Sequence, residues 1–149
     1  MISGQPIFHI HADLGEIVDA GATPYGGRRT IEILGGRVSG RLNGKLLTGG
    51  ADWQIIRSDG VADIQARYVI ETDEGARVLV TSNGLRHGPA EVLAAIARGE
   101  KVDPASYYFR TVMRFEASAP SLDWLNRIIA IAKGERERLV VKLDVYEVL

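Results

Sequence analysis

The feature that most constrains the fold is a series of strand-length segments, between residues 46 and 86, separated by glycine turns. The turns fall at Gly49-Gly50, Ser58-Asp59-Gly60 and Asp73-Glu74-Gly75. Asp-Gly and Asp-x-Gly steps between apolar segments are typical of hairpins, because glycine adopts the positive φ that such turns need. The spacing therefore predicts an antiparallel meander whose neighbouring strands are joined locally.

Alternation of apolar and polar residues extends this prediction over most of the chain. One helix interrupts the strands, since Pro89 suits a first helical turn and Gly99 suits a C-terminal cap. Closing the sheet hides strand edges. We therefore predict one all-β domain, residues 1–149: a closed, antiparallel, up-and-down, lipocalin-like β-barrel of about 8–10 strands with one short α-helix near 89–98.

Composition narrows the classes of partner and compartment. Eighteen basic and nineteen acidic residues leave a net charge of −1, which argues against a nucleic-acid partner. No window approaches the roughly 18 consecutive apolar residues of a membrane helix, and the first residues do not have the pattern of an export signal. The absence of cysteine excludes disulfides and thiolate chemistry. We expect a cytoplasmic protein with neither a nucleic-acid nor a membrane partner.

Two segments are apolar on both faces of a predicted strand, residues 127–132 and 76–80. One face of each can fill the barrel, and the other needs the helix or a second subunit to cover it. This pattern predicts a homo-oligomer, either a dimer or a larger assembly.

Six ordered blocks of sequence resemble a known family. They are Gly49-Gly50-Ala51-Asp52-Trp53, Ala66-Arg67-Tyr68, Thr72-Asp73-Glu74-Gly75-Ala76, Tyr107-Tyr108-Phe109-Arg110-Thr111, Phe115-Glu116 and Trp124-Leu125-Asn126-Arg127. Together they resemble domain-of-unknown-function family 3237, also called uncharacterised protein family 0311, over roughly residues 25–148. The resemblance implies a closed, broadly lipocalin-like β-barrel with a small-molecule cavity, and it implies no particular reaction.

The first candidate site collects ligand-binding residues from separate strands. Arg67 and Arg110, if both point into the barrel, offer forked donors to a carboxylate, phosphate or phenolate. Trp53 and Trp124 are candidate flat walls for a ring, and Asn126 is a further polar contact. The alternative is that the charged residues of these alternating strands point to water, and that both tryptophans are wall or core residues.

The same cluster contains candidate catalytic residues. Asp52 and Glu116 are the candidate general bases, and Tyr108 or Asn126 can stabilise negative charge on an oxygen. Chemistry of this type needs no metal or cofactor. As alternatives, Asp52 can cap a turn after Gly49-Gly50, and Glu116 can belong to an exposed charge ladder.

Histidines and a glycine-rich loop provide two weaker candidates. His9 and His11 share one face of a strand, as metal ligands in barrels often do, and their spacing to Glu16 partly matches a cupin motif. Exposed strand histidines are the default interpretation. Near the helix, residues 84–89 can present backbone N–H groups to an anion with help from Arg86, although ordinary capping explains the same residues.

The sequence thus favours a small-molecule-binding β-barrel that works without a cofactor. Its enzymatic version is an acid–base catalyst of the cyclase, isomerase or lyase type that acts on a small aromatic or carboxylated compound. The alternatives are a non-catalytic ligand-binding barrel, an oligomeric structural barrel with a filled interior, and a cupin-like metal protein at His9 and His11.

Overall fold

The wall of the molecule is an antiparallel sheet of nine strands. The structure, a computed structural model, describes all of residues 1–149. The strands are β1 (Phe8–Thr23), β2 (Gly26–Gly40), β3 (Gly44–Leu46), β4 (Gly50–Ile56), β5 (Ala62–Thr72), β6 (Arg77–His87), β7 (Tyr108–Ala117), β8 (Ala130–Arg136) and β9 (Val140–Glu147). One α-helix, α1 (Ala90–Ala97), lies between β6 and β7, and 3₁₀ helices cover Pro104–Ser106 and Pro120–Arg127.

The sheet closes on itself through β1 and β9. These strands pair from Phe8 opposite Val145 to Asp13 opposite Val140. β3 and β4 each pair with β2 and β5, so together they fill one of eight positions around the barrel. The predicted closed up-and-down barrel with one short α-helix is confirmed. The two 3₁₀ helices were not predicted, and β8 begins at Ala130 rather than near residue 127.

Inward-facing side chains fill one half of the barrel. Phe8, Ile70, Met113 and Val145 are fully buried there, and the ring of Phe8 meets that of Phe115 edge to face at 5.7 Å between centroids. Leu125, on the second 3₁₀ helix, is also fully buried and belongs to the same apolar cluster. This end of the barrel is therefore plugged, which leaves the opposite end to form a cavity.

Helix α1 lies at the unplugged end. Its apolar face packs Val92, Leu93 and Ile96 against the core, and no side chain caps its N-terminus. Gly99 follows the helix with φ of 81°, a left-handed conformation that glycine adopts without strain. The helix is thus attached to the barrel mainly through apolar contacts.

Gly84 allows β6 and β7 to approach each other closely. A Cβ atom at this position would lie 2.0 Å from the carbonyl oxygen of Arg110. We expect Gly84→Ala to lower the free energy of unfolding by about 3 kcal/mol, as measured by urea denaturation. Gly35→Ala is the matched control, because its Cβ would meet nothing nearer than 3.8 Å. An unchanged urea midpoint for Gly84→Ala would contradict the observed packing of β6 on β7.

Several apolar side chains remain on the outside of the wall, among them Leu79, Val112 and Ile129. They agree with the two-faced apolar pattern of the sequence, and the homo-oligomer stays a prediction. None of the helices has the length and hydropathy that a membrane span requires.

Candidate functional site

A cavity of about 430 Å³ occupies the unplugged end of the barrel, and we call it the vestibule. Its apolar walls include Ile17, Ile56, Leu93, Ile96 and Leu139. Exposed residues at its rim, such as Ile17 and Leu139, place it at the protein surface. Its volume lies within the range of small-molecule sites, about 300–1,000 Å³.

A second, smaller cavity of about 60 Å³ lies inside the barrel, and we call it the inner chamber. Leu14, Ile33 and Ile64 are among its apolar walls. Arg86 and Arg136 line both the chamber and the vestibule, so they mark the junction between the two spaces. The site therefore has a wide outer part and a narrow inner part.

Three arginines meet at this junction: Arg29, Arg86 and Arg136, which we call the guanidinium trio. Each lies on the inward face of its strand: Arg29 is opposite the buried Gln54, and Arg86 is opposite the buried Phe109. No member of the trio forms an ion pair, since all nine ion pairs of the protein involve other residues. The trio thus concentrates positive charge in the mouth of the barrel.

Arg136 is the most enclosed of the three, with only 7% of its surface exposed. Its Nη1 atom is buried and has no hydrogen-bond partner. Burial, followed by the neighbouring charges of Arg86 and Arg29, lowers its pKa to about 10. The pKa of Arg86 is likewise lowered to about 10, first by burial and then by Arg29. Both side chains stay charged near neutral pH, and an unpaired buried charge of this kind favours an anionic partner.

Asp52 is the carboxylate that lines the inner chamber beside the trio, whereas Asp19 lies opposite Arg29 on β1. Its Oδ1 accepts from the backbone N–H of Gln65 at 2.9 Å, and its Oδ2 accepts from Gln54 Nε2 at 2.8 Å. Gln54 Oε1 in turn accepts from Arg29 Nε at 3.1 Å, which links Asp52 to the trio. Burial raises the pKa of Asp52, although hydrogen bonds from Gln65 and Gln54 oppose the shift. A carboxyl group tuned in this way is suited to proton transfer.

Two hydroxyl groups line the inner chamber alongside Asp52. The Ser82 hydroxyl donates to Thr111 Oγ1 at 2.8 Å, and both residues are buried. Ser82 on β6 is paired with Met113 on β7, and Thr111 on β7 is paired with Gly84 on β6, so the two hydroxyl groups are diagonal neighbours across the two strands. The chamber is therefore apolar over most of its surface, with a polar strip along one side.

The expected interior position of Arg67 and Arg110 is wrong. Arg67 is exposed because Ala66 and Tyr68, its neighbours on β5, take the inward positions. Arg110 lies on the outer wall beside the inward-facing Phe109, where its Nη1 donates to the Phe109 carbonyl at 2.9 Å. The alternation of each strand places these guanidinium groups on the outside of the barrel. This agrees with the alternative interpretation, in which the charged residues of these strands point to water.

Three other predicted residues lie on the outer wall, away from the cavity. Trp53 is 56% exposed in a groove on the outer wall, and Glu116 is exposed opposite Leu79. Tyr108 is also exposed, and its ring stacks on His87 at 5.0 Å between centroids. Of the predicted catalytic residues, Asp52 alone lines the inner chamber.

Trp124 and Asn126 belong to the plugged end. The Trp124 ring lies 3.7 Å from the guanidinium carbon of Arg41, a cation–π contact. Asn126 Oδ1 accepts from the backbone N–H of Ala117 at 2.8 Å, and its Nδ2 donates to the same residue's carbonyl at 2.9 Å. The Asn126 bonds fasten the 3₁₀ helix to the end of β7, and the Trp124 contact joins it to the β2–β3 connection, both at the end opposite the cavity.

His9 and His11 lie on the outer wall and pair with separate aspartates. His9 Nδ1 is 2.7 Å from Asp144 Oδ1, and His11 Nε2 is 3.5 Å from Asp13 Oδ1. No three side chains of histidine, aspartate or glutamate approach one another in an arrangement that would hold a metal ion. The geometry therefore gives no support to the cupin-like alternative.

Sequence reasoning missed Arg29, Arg136 and Gln54, and it considered Arg86 only as part of a loop. The alternation of each strand contained a signal, because each arginine falls in phase with the apolar residues that face the interior. Arg29 is two residues before Ile31, and Arg136 is four residues after Ala132. A charged residue in phase with the buried face of a strand is the pattern that identifies an interior charge.

The fold and the cavity define a small closed β-barrel with a positively charged mouth. The family model described as "Protein of unknown function (DUF3237)" matches residues 2–148. A UPF0311 protein of Bradyrhizobium diazoefficiens is 45% identical over 143 residues, which are 96% of this chain and 94% of the relative. The chain therefore belongs to the DUF3237 family, and the resemblance inferred from the sequence is confirmed.

Solved structures share the barrel. The crystal structure of a conserved protein of unknown function from Rhodopseudomonas palustris has a TM-score of 0.91 at 41% identity, and the match covers 100% of this chain and 98% of that one. A more distant match, described as an enzyme from Penicillium herquei, has a TM-score of 0.63 at 18% identity and covers 96% of each chain. This second likeness is one of fold.

Proposed function

We propose that the barrel binds a small organic molecule through an anionic group, a carboxylate or a phenolate, that is held by the guanidinium trio. The observation that carries this proposal is the buried, unpartnered Nη1 of Arg136 among three arginines without ion pairs. Guanidinium groups bind carboxylates with two parallel, charge-assisted hydrogen bonds. An anion at the junction would supply both the missing acceptor and the missing charge.

The vestibule suits the rest of such a molecule. Leu93 and Ile96 of α1 face Ile56 and Leu139 of the barrel rim across a space large enough for a ring. An aromatic or carboxylated compound would place its apolar body between these walls and its charge at the trio. The proposed ligand is therefore an amphiphilic organic acid or phenol.

Asp52 extends the proposal to catalysis without a cofactor. In its ionised form Asp52 would take a proton from a carbon or hydroxyl group beside a carbonyl. Arg86 and Arg136 would stabilise the negative charge that then develops on the oxygen. Return of the proton to another carbon completes an isomerisation. If the deprotonated hydroxyl instead attacks a conjugated carbon and the proton goes to the neighbouring carbon, the result is a ring closure. If a leaving group departs with the proton, the result is an elimination. The fungal fold neighbour is described as an enzyme, which is compatible with this version.

A binding protein without turnover would use the same groups. The two versions differ in whether Asp52 exchanges a proton with the ligand, so proton exchange rather than affinity distinguishes them. The structural-barrel alternative needs a filled interior, and the vestibule and chamber argue against it.

We expect anionic compounds, and not their neutral counterparts, to stabilise the protein against heat. The test is a thermal-shift screen of aromatic acids and phenols, in which each acid is compared with its primary amide. A ligand at 100 times its Kd adds about 2.7 kcal/mol to the free energy of unfolding. This gain raises the midpoint temperature of thermal unfolding by several degrees. Arg110→Ala is the control variant and should respond as the wild type does. If amides stabilise as well as acids, or if no acid stabilises, the proposal is overturned.

A further inference from the structure

We infer that the ligand enters head first: a slender, oxygen-bearing tip passes between Arg86 and Arg136 into the inner chamber, while the wider apolar body stays in the vestibule. This inference rests on the proposed function and specifies its substrate class. The class is an aromatic or apolar compound whose acidic or carbonyl tip is unbranched and only a few atoms long.

The volumes of the two spaces set this orientation. The inner chamber holds about 60 Å³, whereas an apolar cavity that admits benzene holds about 150 Å³. A ring is therefore too large for the chamber, but a carboxylate or a short carbonyl tip fits. The vestibule, at about 430 Å³, has room for the ring that the chamber excludes.

The chemistry of the chamber matches a small oxygen-bearing group. Arg86 and Arg136 flank its entrance, and Asp52 lies on its wall. Ser82 and Thr111 carry two hydroxyl hydrogens between them, and their mutual hydrogen bond uses one. The pair thus retains one donor for a ligand oxygen, in addition to the guanidinium donors.

Apolar surface covers the remaining wall of the chamber. Leu14, Ile33, Ile64 and Leu143 would contact the carbon atoms of the tip and leave little space for branches. One extra or missing methyl group in such an enclosed site changes affinity by about 10- to 200-fold. Branching at the carbon next to the acid is therefore the ligand feature that the site should reject most strongly.

Ser82→Thr tests the depth to which the ligand enters, because it adds one methyl group to the chamber and keeps the hydroxyl. The probe is 3-phenylpropionate, and its 2,2-dimethyl analogue is the branched comparison. Isothermal titration calorimetry of the wild type should show the straight acid binding at least about ten-fold more tightly than the branched one. Ser82→Thr should weaken binding of the straight acid by about ten-fold or more.

Two further variants complete the experiment. Ser82→Ala enlarges the chamber and should reduce the difference in affinity between the straight and the branched acid. This variant keeps the test decisive if Ser82→Thr folds poorly. Thr81→Val, on the outer face beside Ser82, should bind as the wild type does. Equal affinities of both acids in the wild type and in both Ser82 variants would overturn head-first entry and leave the proposed function standing. If neither acid binds the wild type, both head-first entry and the proposed function are contradicted.

Discussion

Replacing Arg136 with methionine is expected to make the ligand-free barrel more stable and to abolish its affinity for anions. Methionine fills a similar volume and carries no charge, whereas Arg136 is 93% buried beside two other guanidinium groups with an unpartnered Nη1. Replacing buried ion pairs with apolar side chains of similar volume is often neutral or stabilising by about 1–4 kcal/mol, and Arg136 has no paired charge to lose. The hydrogen bond that the Tyr107 hydroxyl accepts at 2.8 Å comes from the backbone N–H of Arg136, so the substitution preserves it.

Urea denaturation and calorimetric titration with an aromatic acid measure the two effects. We expect Arg136→Met to gain about 1–3 kcal/mol in the free energy of unfolding and to lose about 100-fold or more in affinity. Arg110→Met is the matched control on the outer wall and should stay within about 0.5 kcal/mol of the wild type with unchanged affinity. A less stable Arg136→Met protein, or one that binds the acid normally, would show that Arg136 has a structural partner and is not part of an anion site.

Replacing Asp52 with asparagine should remove proton transfer and retain binding. Asparagine can still accept the hydrogen bond from Gln65, but it cannot take up a proton. The probe is phenylpyruvate, whose C–H group beside the ketone exchanges with deuterium in D₂O. We expect the wild type to accelerate this exchange, as followed by NMR, and Asp52→Asn to lose about 100-fold or more of the acceleration. Asp63→Asn, on the outer wall, is the control.

Asp52→Asn also isolates the part of the pH dependence of stability and of ligand affinity that comes from Asp52. Burial raises the pKa of Asp52, so the folded protein holds this proton more tightly than the unfolded chain does. The contribution of Asp52 to stability is therefore complete below the ordinary pKa of an aspartate and falls as pH rises through the raised value. An anion bound beside Asp52 raises its pKa further, so binding takes up a proton and affinity falls over the same interval.

Binding titrations of wild type and Asp52→Asn from about pH 4, near the ordinary pKa of an aspartate, up to about pH 8 measure the contribution of Asp52 as the difference between the two proteins. We expect the affinity of the wild type to decline with rising pH more steeply than that of the variant. Parallel curves would mean that Asp52 does not titrate beside the bound anion. A wild type that neither binds more weakly at high pH nor accelerates exchange would contradict a role for Asp52 in proton transfer.

The barrel could be predicted from the sequence because period-two alternation and glycine turns are local signals. Each Asp-x-Gly step fixes a hairpin, and a succession of hairpins leaves few alternatives to a meander that closes. The 3₁₀ helix at Pro120–Arg127 escaped prediction for the opposite reason. Its position depends on long-range contacts, such as the burial of Leu125 in the plugged end and the hydrogen bonds of Asn126 to β7.

The arrangement of charged groups was easier to predict than the residues that form it. The expected arrangement, guanidinium groups inside the barrel with an aspartate nearby, is present, but Arg29, Arg86 and Arg136 supply it instead of Arg67 and Arg110. The family blocks drew attention to Arg67 and Arg110 without specifying the face of the strand. The alternation did specify it, since both follow the polar phase of their strands.

The narrowing of the cavity could not be read from the sequence at all. Ser82 and Thr111 belong to strands whose alternation marks them only as inward-facing. Their distance from Asp52 along the chain gives no indication that all three line one chamber. That relation depends on the register of β6 against β7 and on the closure of the whole barrel, which only the assembled fold defines.

A crystal structure with 3-(4-bromophenyl)propionate would test most directly whether the barrel mouth is an anion site. The bromine provides an anomalous signal that locates the ring independently of the carboxylate. We predict a single strong bromine peak in the vestibule near Leu93 and Ile96, with carboxylate density between Arg86 and Arg136. A bromine peak confined to the outer wall, for example beside Trp53, or a vestibule without density at saturating ligand, would contradict the account.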